Sequence, residues 1–235
     1  MSLPALTEPD LTALLDGVSR LARGQVTALE PLAGGRNSRV FRARLGGGRD
    51  VAVKACFRHP GDPRDRTGVE FNALRLMWKH GFRDVPQPLA ANRSAGLALY
   101  EYIPGAAPGP VRAADIDALV DFLDRLRKLA RQPESKKLGP ASEACFSVAE
   151  MVEVLRRRRA RLVASEGGTR PVAALNKFLR DEFDPALDRI ARWSRAKLPR
   201  GAFTRELPHS DRTLSPSDFG FHNAVRRPKG GIVWL

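Results

Sequence analysis

Cysteine is scarce. Cys56 and Cys145 are the two in the chain, and they form no ligand-like cluster. A cysteine-built metal core is thereby excluded, and a reduced, cytoplasmic protein is expected. No apolar run approaches the roughly 20 residues that span a bilayer, so no membrane partner is expected. The start of the chain carries acids rather than a basic apolar leader, which argues against a signal peptide. The four histidines show no metal-binding spacing, and no G-x-S-x-G is present. Ser215 and Ser217 therefore read as loop-shaping residues rather than nucleophiles. Internal repeats and long low-complexity linkers are also missing.

Positive charge is in excess. The formal net charge is +14, with 40 Lys and Arg against 26 Asp and Glu. Residues 1–105 hold 15 against 10, and residues 106–235 hold 25 against 16, so the excess is spread and is not a basic tail. The densest block, Arg156 to Arg159 with Arg161, lies in a helical pattern where Met151, Val154, Leu155 and Leu162 can share a face. It reads as a solvated helix face; an anion-binding patch is the alternative. No RNP, KH, zinc-finger or helix-turn-helix signature accompanies it, so no nucleic-acid partner is expected.

With 43% hydrophobic residues over 235 positions, the chain is long enough for one large domain or two lobes. Leu11, Leu14, Leu15, Val18 and Leu21 predict a helix over 9–22. Val26 to Leu32, Val40 to Leu45 and Val51 to Phe57 are strand-like runs separated by glycines. Residues 65–80 are helical and stop at Gly81. Pro86 to Tyr102 holds two further strands around a turn at 92–96. The Pro/Gly-rich stretch from Ile103 to Pro110 marks a lobe boundary, giving a nucleotide-binding lobe at 1–105 and a helical lobe at 106–235. In the second lobe Ile116, Leu119, Val120, Leu123 and Leu126 form one stripe. Residues 147–164 and 172–198 are helical, with Pro185 an interruption. A hairpin closes the chain over 223–235. Strands first and helices second predict an α+β fold.

Several short segments carry chemistry. Gly34-Gly35-Arg36-Asn37-Ser38 lies between two strands. Its backbone N–H groups, with Asn37 and Ser38, can approach phosphate oxygens, although a glycine pair there is also an ordinary hairpin turn. In Val51-Ala52-Val53-Lys54, alternation puts Ala52 and Lys54 on one face, leaving room for a flat ring over Ala52 and phosphates at the ammonium. Glu70 falls with Ala73, Leu74 and Met77 on the apolar face of the next helix, where a carboxylate needs a cation. Lys54 is the candidate; a solvated rim position is the alternative. At the strand end Tyr100-Glu101-Tyr102-Ile103-Pro104-Gly105, the Glu101 carbonyl and the Ile103 N–H are candidates to read an adenine edge. Asp218 and Asn223 have the separation of a kinase catalytic loop, with Asp218 as base and Asn223 as a metal ligand. The tripeptide Asp218-Phe219-Gly220 also spells a kinase metal-binding motif. That reading would need a loop upstream, where the position five beyond Asp211 is Pro216, which cannot ligate a metal. His222 is expected to pack or be solvated beside the loop.

With these segments in order from about residue 25 onward, the chain resembles the aminoglycoside phosphotransferase and choline kinase-like family of small-molecule kinases. The resemblance implies a bilobal protein-kinase-like fold with a small β-rich N-lobe and a mostly helical C-lobe. It also implies ATP with Mg²⁺, and phosphoryl transfer to a hydroxyl of a small molecule. Two departures stand out. Pro216 occupies the position where the family carries a histidine. The family's second metal-binding aspartate would fall just past Leu235, and residues 224–235 contain no Asp or Glu. The C-lobe is therefore expected to be incomplete and the 235-residue form weak or inactive. A non-catalytic, pseudokinase-like nucleotide-binding module is the alternative.

Overall fold

The computed structural model describes residues 8–34, 38–57, 65–141, 144–163, 170–216 and 218–235. Alternating side chains between residues 26 and 56 fold into three antiparallel strands: β1 (Val26–Gly34), β2 (Ser38–Leu45) and β3 (Asp50–Cys56). β4 (Pro88–Asn92) and β5 (Leu97–Glu101) complete a five-stranded sheet in the order β1-β2-β3-β5-β4. Every pairing is antiparallel. Period-two alternation buries Val51 and Val53 together with Phe41, Ala43 and Leu99 on one face. Helix α1 (Glu8–Ala22) covers that face with Leu14 and Val18, which fills the first core.

Helix α2 (Arg66–Lys79) starts at Asp65, whose carboxylate accepts the Gly68 N–H at 2.8 Å. Such a cap satisfies an orphan donor of the first turn. Leu74 and Met77 of α2 pack against a second core built from Phe82, Phe122, Leu126 and the closing hairpin. That hairpin pairs β6 (Ala224–Arg226) with β7 (Ile232–Trp234), as the sequence predicts.

Helix α3 (Ala113–Leu129) turns Leu119 and Leu126 of the expected stripe inward but corrects the other three. Its inward face carries Asp115, Phe122, Leu126 and Leu129, whereas Ile116 and Val120 are 46% and 56% exposed and Leu123 is exposed as well. The helix has two apolar stripes. Phe122 sets the phase because a large aromatic gains most from burial, in an aromatic cluster. It stacks on Phe219 at 5.1 Å, meets Phe82 edge-on at 5.8 Å and lies 5.8 Å from Trp234.

The chain divides into two compact units. One comprises residues 1–139 and 213–235, the other residues 140–212. The second unit is helical: α4 (Val148–Val163), α5 (Arg170–Phe178) and α6 (Asp184–Lys197). Pro185 does not break the helical path. A π-turn over Leu179–Phe183 precedes it, and the proline sits in the first turn of α6, where no intrahelical donor is required. Val152, Leu187, Ala191 and Phe203 form its core. Met151, Leu155 and Leu162, the expected inward face of α4, are exposed. The basic block is partly paired: Arg159 binds Asp184 and Arg156 binds Asp188. The inward face is the one that carries Val148, Ala149 and Val152.

The two stripes of α3 make different predictions. Phe122→Ala should destabilise the fold by about 3–5 kcal/mol, read as a lower urea midpoint at unchanged slope. Val120→Ala should stay within about 0.5 kcal/mol of the parent. The reverse order would restore the stripe expected from the sequence.

Candidate active site

Strand β3 and helix α2 bring the first pair of functional groups together. Lys54 Nζ lies 2.5 Å from Glu70 Oε2, with side chains 30% and 35% exposed. The register explains the approach. Lys54 stands opposite Val40 and Ala98, and Ala52 opposite Arg42 and Tyr100, so these side chains share the face turned away from the first core. Tyr100 is buried on that face, and its hydroxyl is pushed well above its ordinary range by burial first and then by the Glu70 charge and hydrogen bond. Glu70 thus has a cation and a phenol as partners, which offsets the cost of withdrawing a carboxylate from water. The phenol escaped the sequence reading, although register opposite Ala52 is the signal for it.

The strand end at residues 101–106 sits beside the closing hairpin. Ala106 and Arg226 exchange backbone hydrogen bonds of 3.2 and 2.8 Å. Gly105 makes the crossing feasible: its φ is 157°, and a Cβ there would stand 2.2 Å from the Arg226 carbonyl oxygen. Glu101 accepts from the Gln87 N–H at 3.2 Å, and Arg227 lies 3.5 Å from its other oxygen. Ile103 is buried, and no acceptor for its N–H occurs among the described residues. Arg42 lies over the Tyr102 ring at 4.8 Å and binds Asp50, a second cationic group on the Lys54 face that the sequence reading missed.

Asp218 adopts a left-handed backbone, φ 56°, and its side chain is 81% exposed. A non-glycine residue held there is uncommon and marks sites under constraint. The adjoining Phe219 is anchored between Phe122 and Trp234, the latter at 4.8 Å. Asn223 Nδ2 donates to the Asp218 carbonyl oxygen at 2.8 Å, which leaves the Asn223 amide oxygen as the atom suited to a cation. His222 is not merely solvated. Its Nε2 stands 3.1 Å from Asp218 Oδ1 and holds that carboxyl below its ordinary range, with Asn223 adding a smaller effect.

A half-buried ion pair, also missed from sequence, ties this loop to α3. Arg226 grips both Asp115 oxygens at 2.9 and 2.8 Å and donates twice to the Pro108 carbonyl. Asp115 in turn accepts the Arg112 N–H at 2.8 Å. Hydrogen bonding from Arg226, then from the Arg112 backbone, lowers the Asp115 pKa to about 2.

Of the glycine-rich segment, Gly34 closes β1 and Ser38 opens β2 opposite Cys56, on the Lys54 face. Gly35, Arg36 and Asn37 lie outside the described residues. No group of three or more His, Cys, Asp or Glu gathers to hold a metal among the described residues. The Asn223 amide oxygen nonetheless presents a hard oxygen donor. Mg²⁺ commonly takes one or two such protein ligands and completes its octahedron with water and phosphate, so the donor chemistry fits that ion. No helix among the described residues is long and apolar enough to cross a membrane.

Comparison with known proteins gives three kinds of result. A family model described as "Phosphotransferase enzyme family" matches residues 28–213 and ends before Asp218. A search of curated proteins gives no match. Among solved structures, a macrolide 2'-phosphotransferase type I aligns over 98% of this chain and 71% of its own, at TM-score 0.52 and 16% identity. Choline kinase LicA from Streptococcus pneumoniae aligns over 95% and 66%, again at 0.52 and 16%. A Rio2 kinase from Chaetomium thermophilum aligns over 52% of this chain at TM-score 0.39 and 19% identity, and the chain spans 43% of that protein. The first two likenesses concern the fold, and they agree with the expected α+β, protein-kinase-like architecture.

The Asp115–Arg226 pair sets a pH window. The carboxylate's pKa falls from an ordinary 3.8 to about 2 on folding, so its contribution is present above pH 4 and is lost as pH drops toward 2. Asp50, also lowered to about 2 by Arg44 and Arg42, acts in the same range. Asp115→Asn should therefore lower stability at pH 7 and flatten, without abolishing, the stability loss between pH 4 and 2 in chemical denaturation. An unchanged slope would show that the pair contributes nothing to acid stability.

Proposed function

The chain belongs to the phosphotransferase enzyme family, and from that premise we propose that it transfers the terminal phosphoryl group of ATP to a hydroxyl of a small molecule. The observation that carries the proposal is the Lys54–Glu70 contact at 2.5 Å on the sheet face that also holds Ala52. A lysine fixed by a helix carboxylate keeps its charge and its aim, which is what a phosphate anchor needs. In this reading residues 1–105 form the nucleotide-binding lobe and residues 106–235 the lobe that carries the catalytic loop. The base lies over Ala52 and meets the Glu101 carbonyl and the Ile103 N–H. Gly34, Gly35, Asn37 and Ser38 line the phosphates, and Lys54, steadied by Glu70, neutralises the α- and β-phosphate charge.

Asp218 takes the proton of the acceptor hydroxyl as its oxygen attacks phosphorus; the bond from phosphorus to the ADP oxygen breaks, and ADP leaves. Mg²⁺, held in part by Asn223, would supply charge neutralisation on the phosphates. The left-handed backbone at Asp218 supports this role, because it turns the carboxylate into solvent instead of into the aromatic core. The compared phosphotransferases are named for macrolides and for choline, which supports a small-molecule acceptor. A net charge of +14 weighs against polycationic aminoglycosides.

The test is Mg-dependent phosphoryl transfer from ATP to a panel of macrolides, choline and amino sugars. Asp218→Asn should reduce turnover by about 100-fold or more, in the range of a lost general base. Lys54→Met should weaken both ATP binding and turnover. Full turnover by Asp218→Asn would contradict the assignment. ATP binding that depends on Lys54 without any transfer would identify a non-catalytic nucleotide-binding module instead.

A further inference from the structure

Nothing in the packing fixes the Asp218 carboxylate. The side chain is 81% exposed; the Asn223 amide donates to the Asp218 backbone carbonyl at 2.8 Å and interacts more weakly with the carboxylate. The stronger contact to the carboxylate comes from His222, Nε2 to Oδ1 at 3.1 Å. His222 is not there for burial, since its own side chain is 63% exposed and lies outside the aromatic core. Its ring occupies the space that a side chain at position 220 would need. A Cβ on Gly220 would stand 2.9 Å from His222 Nδ1, closer than real Cβ contacts come, and 3.0 Å from Cε1, tighter than most.

We infer that His222, admitted by the missing side chain of Gly220, is a positioning residue that holds one Asp218 oxygen and leaves the other for the acceptor hydroxyl. The inference rests on the proposed role of Asp218 as base. An exposed carboxylate samples several rotamers, whereas proton transfer needs one heavy-atom distance of about 2.6–3.2 Å. The hydrogen bond from Nε2, the stronger of the carboxylate's two, selects the rotamer. A misplacement of about 1 Å costs on the order of 100-fold in rate. Gly220 leaves the ring room and also takes a backbone, φ 159°, that other residues rarely adopt, and His222 matters because of Asp218.

Two measurements test this on the full chain. In steady-state transfer, His222→Ala should lower kcat about 10- to 100-fold and leave the KM for ATP unchanged, while His222→Gln, which keeps a donor, should recover part of the loss. Gly220→Ala should lower kcat similarly. The Gly220→Ala/His222→Ala double variant should lose less than the two single losses combined, because both disturb one contact while the alanine's backbone strain at φ 159° remains. Additive losses, or a raised KM for ATP with kcat intact, would overturn the inference.

The second measurement needs no turnover. In ¹⁵N-labelled protein, Asp218→Ala should shift the His222 Nε2 resonance in the parent and leave it unmoved in the Gly220→Ala background. A resonance indifferent to Asp218 in the parent would overturn the contact. A parent that transfers no phosphate yet shows the Nε2 shift would refute the phosphotransfer reading while supporting the His222–Asp218 contact. Transfer with an unmoved resonance would do the reverse.

Discussion

A carboxylate on the apolar side of a helix must find a cation, and Glu70 meets that demand through Lys54. Much of the first unit follows from the requirement. The β3 register has to aim Lys54 at α2, which fixes the opposite face of the sheet, with Val51 and Val53, as the one that α1 covers. Tyr100 shares the Lys54 face and adds a phenol next to the same carboxylate. Four and seven residues along α2, Leu74 and Met77 enter the second core, where Phe219 and Trp234 also pack. Helix α2 therefore contacts both Lys54 and the core that seats the Asp218 loop. A shift of this helix would be felt at both.

The Asp218 loop is short and exposed, so its placement depends on its neighbours. Phe219, next in sequence, is wedged between Phe122 and Trp234. On its other side the Arg226 grip on Asp115 joins the hairpin to the start of α3. Replacing either partner would strand a charge in a half-closed site, which makes the pair a determinant of geometry more than a source of net stability. The backbone bridge between Ala106 and Arg226 then sets the strand end that carries Ile103 beside the strand that follows Asn223.

The sheet strands, α2 and the closing hairpin were legible because period-two alternation and turn glycines are local signals. The Lys54–Glu70 contact was legible for the same reason: strand phase and helix phase each aim one side chain. The phase of α3 was not legible. Ile116, Val120 and Leu123 repeat as regularly as Phe122, Leu126 and Leu129, and the choice depends on aromatic partners distant in sequence. For the same reason Asp115–Arg226, separated by 111 positions, gave no signal. His222 was read as a bystander because sequence does not reveal that Gly220 leaves its ring room to reach Asp218. On α4, Val152 with Val148 and Ala149 faces the core instead of Met151, Leu155 and Leu162, a choice between apolar stripes that depends on partners distant in sequence.

The central claim is that one nucleotide lies between the Lys54 face of the sheet and the Asp218 loop. A crystal structure with Mg²⁺ and a non-hydrolysable ATP analogue tests it most directly. The account predicts Lys54 Nζ within hydrogen-bonding distance of the α- or β-phosphate while still facing Glu70. It also predicts the Ile103 N–H on the base and the Asp218 carboxylate turned toward the terminal phosphate. A nucleotide bound elsewhere, or bound with Lys54 turned away from its phosphates, would contradict the account.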